Sequence, residues 1–459
     1  MIIRLKSMQK LTVFAMLAIM LSGCRSSQLM RHKSTVLPDV RPQESVYTTP
    51  VEEWQPTTVS IASQTHPKTL TWAEAKRQQL EALLRDSLLE RSQLGLSVYD
   101  LSENQYIIQV NADQRMRPAS CQKVVTSISA LHYLGGEYLL RTQLCTTGEV
   151  KANGDLTGDV YVIGGMDPML SKADLREMAK ALQTMGVKRI AGKMYVDLSA
   201  KDSNPLGWGW CWDDDYGPLT ALTVDKKDTF SEEWFDALKT CKITVPANAR
   251  TQAEKVSIDG VLALPTNGCL GRAVCPASAH LVMEVTHTID QLLEKMMKDS
   301  DNIYAESLFY QLAFHTGEKQ AGRKQAVRLI NALIESLGLH ADDYQIADGS
   351  GLSLYDYVSP TLLVTLLRYA YGEKEIIGHL WSSLPVASVD GTLEKRMHGT
   401  PASEHIYAKT GTVNGISSLS GYAKASNGHT LCFSIINQGV SKGSLGRAFQ
   451  DKVCEVLCR

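Results

Sequence analysis

Apolar residues first fall into helical register at "WAEAKRQQLEALLRDSLLE" (72–90), where Leu80, Leu83, Leu84 and Leu88 share a face and predict a helix. Two strand-like runs follow, "LGLSVYDL" (94–101) and "QYIIQVNA" (105–112), and their separation by "SEN" predicts a hairpin. Ser120 then opens a helix with Val124, Ile128 and Leu131 on one face and a stop at Gly135-Gly136. Between about 141 and 280 the pattern changes. Short strand-like pieces ("DVYVIGG", "KMYVDLS", "CKITVPA", "KVSIDGVLALP") alternate with Gly, Pro and Asn, and predict one or two small β-rich modules. The last third returns to mixed helix and strand. "TIDQLLEKMMKDSDNIYAESLFYQLAFHTG" reads as helix around a break, and "PTLLVTLLRYAYG" as another helix. "SLSGYAKASNGHTLCFSIINQ" reads as a hairpin turned at Asn427-Gly428 in type I′ geometry. A helix bearing Leu445, Phe449, Val453 and Val456 closes the chain.

The residues ahead of this pattern have another character. Arg4, Lys6 and Lys10 precede the uncharged apolar run "LTVFAMLAIMLSG" (11–23), which falls short of the ~20 residues a spanning helix needs and reads as an export signal. It ends in "LSGC", which resembles the bacterial lipobox, and that resemblance implies cleavage before Cys24 and lipidation of its thiol. The alternative is an ordinary signal with a chance cysteine. Residues 25 to about 70 are rich in Ser, Thr, Pro and Gln without apolar periodicity, as in a flexible tether.

Composition narrows the classes. At 459 residues two or three domains are expected, and 44% hydrophobic with 21% charged residues fits a soluble globular chain. A net charge of −2 without a basic stripe argues against nucleic acid as a partner. Nine of the ten cysteines follow Cys24; Cys269 with Cys275 is the best local candidate for a disulfide, and Cys454 with Cys458, one helical turn apart, reads as helix packing. No C-x-x-C pattern occurs, and no metal is expected.

Three short motifs carry the chemistry. Ser120 and Lys123, three apart on a helix, share a face, and a lysine whose pKa is lowered by burial beside another cation can take a serine's proton. Alone, the pair reads rather as a helix cap and a solvated lysine. Ser300-Asp301-Asn302 interrupts a helical run, and Lys409-Thr410-Gly411 sits in a strand-like context. Ser-x-x-Lys, Ser-x-Asn and Lys-Thr-Gly in that order are the signature of penicillin-recognising serine enzymes.

With "YVIGGMDPML", "GWGWCWDDDYGPLTALTVD", "DGSGLSLYDYVSP", "SVDGTLEKRMHGTP" and "KTGTVNGISSLSGYA", the chain from about residue 75 to its end resembles the D-alanyl-D-alanine carboxypeptidase/endopeptidase family, the class C low-molecular-mass penicillin-binding proteins. The 180 positions between Ser120 and Ser300 fit an insertion characteristic of that family. The resemblance implies an α+β fold, a serine β-lactamase/transpeptidase-like catalytic domain (72–140 and 281–459) with an antiparallel sheet flanked by helices. It is interrupted by inserted β-rich module(s) at 141–280 and preceded by a lipoprotein signal (1–23) and a tether (24–71). Because every motif lies outside the insertion, that stretch is expected to be dispensable for acylation and to matter for polymeric substrate.

The resemblance also implies residue roles. Ser120 attacks the carbonyl between two D-alanines of a peptidoglycan stem peptide, and Lys123 takes its proton. Backbone N–H groups of Ser120 and Thr412 form the oxyanion hole, while Ser300 with Lys409 returns a proton to the leaving amine. Asn302 holds the acyl side's backbone, Thr410 and Thr412 bind the carboxylate, and Gly411 lets the acyl group approach the strand. No cofactor is implied. β-Lactam antibiotics would acylate Ser120, and the enzyme would sit on the periplasmic side of a bacterial envelope, anchored through Cys24. Departures are Cys121 after the nucleophile, expected to point away from the pocket as packing, and Leu354 and Asp356 where the family often has a basic residue and an asparagine. Two alternatives stay open. A β-lactamase or esterase of this fold is one, although Glu335, at the spacing of a deacylating glutamate, lacks the accompanying asparagine. The other is a non-catalytic peptidoglycan-binding lipoprotein.

Overall fold

The computed structural model describes residues 70–211, 214, 218–245 and 270–459, so the signal, Cys24, nearly all of the tether, Cys269 and "KVSIDGVLALP" lie outside the described residues. Helix α1 (Trp72–Leu83) starts at a capping box in which Thr71 and Glu74 satisfy each other's backbone N–H. It ends before Leu88, because Asp86 accepts from Leu88 N and caps a separate 3₁₀ turn at Ser87–Glu90. Strands β1 (Gln93–Asp100) and β2 (Gln105–Val110) form the expected hairpin. Ser120 sits in a single 3₁₀ turn, Ala119–Cys121, that leads into α2 (Gln122–Leu134), and Gly135 at φ +81° ends the helix.

The middle stretch holds β3 (Leu139–Thr146), β4 (Asp155–Leu156), β5 (Val160–Ile163), β6 (Arg189–Ile190), β7 (Met194–Asp197) and β8 (Gly271–Arg272), and leads into β9 (His280–Thr288). It also holds two helices that the strand-like pieces did not announce, α3 (Lys172–Thr184) and α4 (Phe230–Thr240). A five-stranded sheet runs β8-β7-β5-β3-β9, antiparallel around β3 and parallel from β5 to β8. Leu175, Met178, Leu182, Trp234 and Leu238 from the two helices join Val162 and Val196 of the sheet in one apolar cluster.

The remainder runs through α5 (Ile289–Lys298), α6 (Asn302–His315), α7 (Arg323–Ser336), α8 (Pro360–Gly372), α9 (Lys374–Ser383), β10 (Ile406–Val413), β11 (Ile416–Lys424), β12 (Thr430–Gln438) and α10 (Gly443–Cys458). The helical run breaks between α5 and α6 where Ser300 adopts φ +61°. The β11–β12 hairpin differs from expectation. Five residues separate the paired Lys424 and Thr430, and Gly428 at φ +88° takes the left-handed position without Asn427 joining it, so the turn is not type I′. These strands join the N-terminal hairpin in an antiparallel sheet, β10-β11-β12-β1-β2. One face packs against α1 and α10 through Leu80, Phe449, Val453 and Leu457. The other packs against α8, and α2 is buried among α5, α6, α7, α8 and α9. Cys454 and Cys458 are buried packing residues of α10. The sheet thus carries β10 on one edge, beside the start of α2.

Candidate active site

Three elements converge here because each motif sits at the end or edge of its element. The 3₁₀ turn presents Ser120, the break before α6 presents Ser300 and Asn302, and edge strand β10 carries Lys409 through Thr412. Asp301 fixes the second by accepting from Ile303 N and Tyr304 N as the N-cap of α6, which leaves Asn302 as the first helical residue. Lys123 Nζ donates to Ser120 Oγ at 3.0 Å, Asn302 Oδ1 at 2.6 Å and the Ser350 carbonyl at 2.9 Å. Lys409 Nζ donates to Ser300 Oγ at 2.8 Å and the Thr410 carbonyl at 2.9 Å. The structure therefore brings Ser120, Lys123 and Asn302 into one hydrogen-bonded group and Ser300 with Lys409 into a second.

Both lysines are fully buried. Burial pushes the Lys123 ammonium down to about 8, against the pull of Asp348, Glu306 and Asp301, which favour its charge. Lys409 is driven well below the ordinary lysine range by burial and then by the charge of Lys123. The like-charge effect thus falls on Lys409, and Lys123 is lowered by desolvation. Three acceptors around Lys123 match the three N–H bonds of an ammonium; after deprotonation its lone pair can face the Ser120 hydroxyl.

Gly411 is demanded by packing. A Cβ there would meet Ser418 Oγ at 2.2 Å, the Pro118 carbonyl at 2.7 Å and Cys121 N at 3.0 Å, so glycine lets β10 lie against the turn that carries Ser120. Ser418 Oγ donates to the Pro118 carbonyl and strengthens the same junction. Cys121 is buried and its thiol donates to the Lys409 carbonyl at 3.2 Å, which makes it a packing residue that ties turn to strand. Thr410 Oγ1 donates to Thr392 Oγ1 at 2.8 Å, adding an exposed hydroxyl beside the motif.

Several residues at this site were missed by sequence reasoning. Glu306 is buried on α6 and accepts from Gly349 N at 3.1 Å. Burial pushes its acid up to about 8. Its signal was readable, because four residues after Asn302 on a helix means the same face. Asp348 and Ser350 belong to "DGSGLS", a segment in which resemblance alone was the signal. The middle stretch also reaches the site. Trp210 Nε1 donates to Asp348 Oδ2 at 2.8 Å, Lys226 Nζ to Asp301 Oδ2 at 2.7 Å, and Gln311 and Ser307 of α6 donate to the carbonyls of Gly165 and Met166. These contacts run against the expectation that the stretch is dispensable for acylation.

Comparison with known proteins places this geometry in context. The family model described as "D-Ala-D-Ala carboxypeptidase 3 (S13) family" matches residues 76–252 and 253–458. The D-alanyl-D-alanine carboxypeptidase DacB of Haemophilus influenzae is 27% identical over 428 residues, covering 79% of this chain and 88% of that protein. The crystal structure of penicillin binding protein 4 (dacB) from the same organism is similar in fold, with a TM-score of 0.69 at 22% identity over 84% of this chain and 98% of that one. Its complex with a novel β-lactam gives a TM-score of 0.64 at 23% identity over 83% and 98%.

Proposed function

This chain belongs to the D-Ala-D-Ala carboxypeptidase 3 (S13) family of serine-type hydrolases, and we propose that Ser120 is the nucleophile with which it cleaves peptidoglycan stem peptides. The observation that carries the assignment is the 3.0 Å contact between Ser120 Oγ and the buried Lys123 Nζ. Lys123, once neutral, takes the Ser120 proton as the oxygen attacks the carbonyl between two D-alanines. The C–N bond of the tetrahedral intermediate then breaks, and the leaving amine receives a proton through Ser300, whose hydroxyl is held by Lys409. Water hydrolyses the ester and restores Ser120. Backbone N–H groups of Ser120 and Thr412 serve as the oxyanion hole, each such donor contributing ~3 kcal/mol. Asn302 orients the acyl-side backbone, and Thr410, Gly411 and Thr412 lie along the edge strand that receives the terminal carboxylate. A β-lactam uses the same attack to leave a stable acyl-enzyme.

The activity is that of a carboxypeptidase and/or endopeptidase, on the terminal D-Ala–D-Ala bond or on a cross-link, and digestion of purified cross-linked and uncrosslinked muropeptides measures the balance between them. Ser120→Ala should abolish covalent labelling by fluorescent penicillin while the melting temperature stays near wild type; persistent labelling of the folded variant would overturn the assignment. The "LSGC" segment supports anchoring of the enzyme through lipidated Cys24 on the periplasmic side of the envelope. Cys24→Ala should then move the protein from the detergent phase into water, and equal partitioning of both forms would refute the anchor.

A further inference from the structure

Beneath Lys123 the chain folds into a loop whose carboxyl groups have unequal numbers of donors. Asp348 Oδ1 accepts from Ser350 N at 3.1 Å and Gly351 N at 2.7 Å, and its Oδ2 accepts from Ser353 N and Trp210 Nε1, both at 2.8 Å. Four donors on a buried carboxyl mark it as ionised. Asp356 is fully buried beside it. Its Oδ1 accepts from Ala347 N at 2.7 Å and Asp348 N at 3.4 Å, but Oδ2 meets no donor and neighbours the Asp348 carboxylate. A buried carboxylate oxygen without a donor is expensive, and two adjacent buried carboxylates do not both ionise. With a proton, the same oxygen becomes a donor, and the neighbouring side-chain partner is Asp348.

We propose that Asp356 keeps its proton at neutral pH and donates it to Asp348, and that this one-proton pair is a positioning element for Lys123. The link to Lys123 is short. Asp348 fixes the N–H groups of Ser350 and Gly351, and the Ser350 carbonyl accepts from Lys123 Nζ at 2.9 Å. Gly351, at φ +80°, presses so close to the Ala119 carbonyl that a Cβ would stand 1.8 Å from it, so a shift of the loop is felt at the turn bearing Ser120. The other charged or titratable groups around the pair are Glu306 from α6, Lys123 from α2 and Arg323 from α7, which donates to the Ile346 carbonyl. Burial and then the charge of Asp348 push the Asp356 acid well above the carboxylate range, in the direction the donor count requires.

The sign of the pH effect follows from linkage. The folded protein holds a proton that the unfolded chain loses above about 4, so wild type loses stability as pH rises from there towards the folded-state value. Asparagine keeps a neutral donor in the same place and does not titrate. In the full-length enzyme, the melting temperature of Asp356→Asn should therefore gain on wild type steadily between pH 5 and pH 8. An infrared difference spectrum, wild type minus Asp356→Asn, should show the carbonyl band of a protonated buried carboxyl. Penicillin acylation should survive in Asp356→Asn and fall about tenfold in Asp356→Ala, the loss of one buried hydrogen bond to a charged group. The kinetic readout rests on the Ser120 chemistry proposed above, whereas the infrared and melting readouts do not, so the two can fail separately. A missing carboxyl band, a melting gap that does not change with pH, or an Asp356→Asn protein as damaged as Asp356→Ala would overturn the proposal.

Discussion

Around Lys123 the structure gathers three acceptors and three carboxyl groups, whereas Lys409, equally buried, has Ser300 Oγ, the Thr410 carbonyl and the charge of Lys123. Desolvation alone does not separate the two, since both are fully buried. The carboxyl groups do. The charges of Asp348, Glu306 and Asp301 raise Lys123 against its desolvation, so that it titrates at about 8, whereas for Lys409 the charge of Lys123 adds to the desolvation. Two lysines in one site thus titrate as a pair, and the environment decides which of them keeps the proton. A base that loses its proton near 8 can cycle at physiological pH; a second lysine, its pKa lowered as well, is bonded to the Ser300 hydroxyl.

The largest effect expected is at Lys123. The acylation rate of wild type should rise with pH along a limb centred near 8. Lys123→Arg carries the charge but does not give up its proton, so acylation should fall by about 10²–10⁴-fold, the typical contribution of a general base. Stopped-flow labelling with fluorescent penicillin across pH measures both quantities. Substantial acylation by a folded Lys123→Arg protein would remove lysine as the base and erase the contrast with Lys409.

Lys409→Ala comes next. Losing the group that holds the Ser300 hydroxyl should weaken acylation by about ten- to a hundredfold, the range for hydrogen bonds to charged groups. The alkaline limb should stay near 8, because burial and not the charge of Lys409 lowers Lys123. A limb displaced upward by a full pH unit would mean that Lys409 is cationic and depresses Lys123 across the site.

The contrast between the lysines also marks what sequence could disclose. Ser120, Lys123, Ser300, Asn302 and Lys409 were legible because each sits in a short motif whose spacing survives translation into helix, break and strand. The groups that set the Lys123 pKa were not. Asp348 and Ser350 reach it across more than two hundred residues, and no periodicity reports that a loop closes there. Asp356 looked like a departure in a polar loop, yet it is fully buried. The sheet order was partly visible as two hairpins, but their union through β1 and β12 is a long-range pairing without a local signal. Helices α3 and α4 escaped notice because strand-like fragments drew the reading of the middle stretch.

That stretch supplies the third test. Trp210 is one of four N–H donors on Asp348, and its removal leaves the other three in place. Trp210→Phe keeps an aromatic ring and loses the N–H, so acylation should fall about tenfold or somewhat less, with the limb displaced from 8 because Asp348 acts on Lys123. A protein that melts lower but keeps both rate and limb would give Trp210 a purely structural part.

The smallest effect is expected where the middle stretch meets the other motif. Lys226 is half exposed, and its bond to Asp301 is a surface ion pair, for which about 0–1 kcal/mol is usual. Asp301 does not depend on it for position, since its other oxygen caps α6 through Ile303 N and Tyr304 N. Lys226→Ala should therefore leave acylation within about twofold of wild type and the fold within about 1 kcal/mol, with even that difference fading at high salt. Asp301→Ala is the sharper partner. It removes the cap, at about 1 kcal/mol, and frees Asn302 at the first position of α6, where Oδ1 meets Lys123 Nζ at 2.6 Å. Its acylation should fall well beyond that of Lys226→Ala at any salt concentration. If Lys226→Ala instead matched Asp301→Ala in rate, the ion pair rather than the helix cap would be holding Asn302, and the middle stretch would govern both lysines.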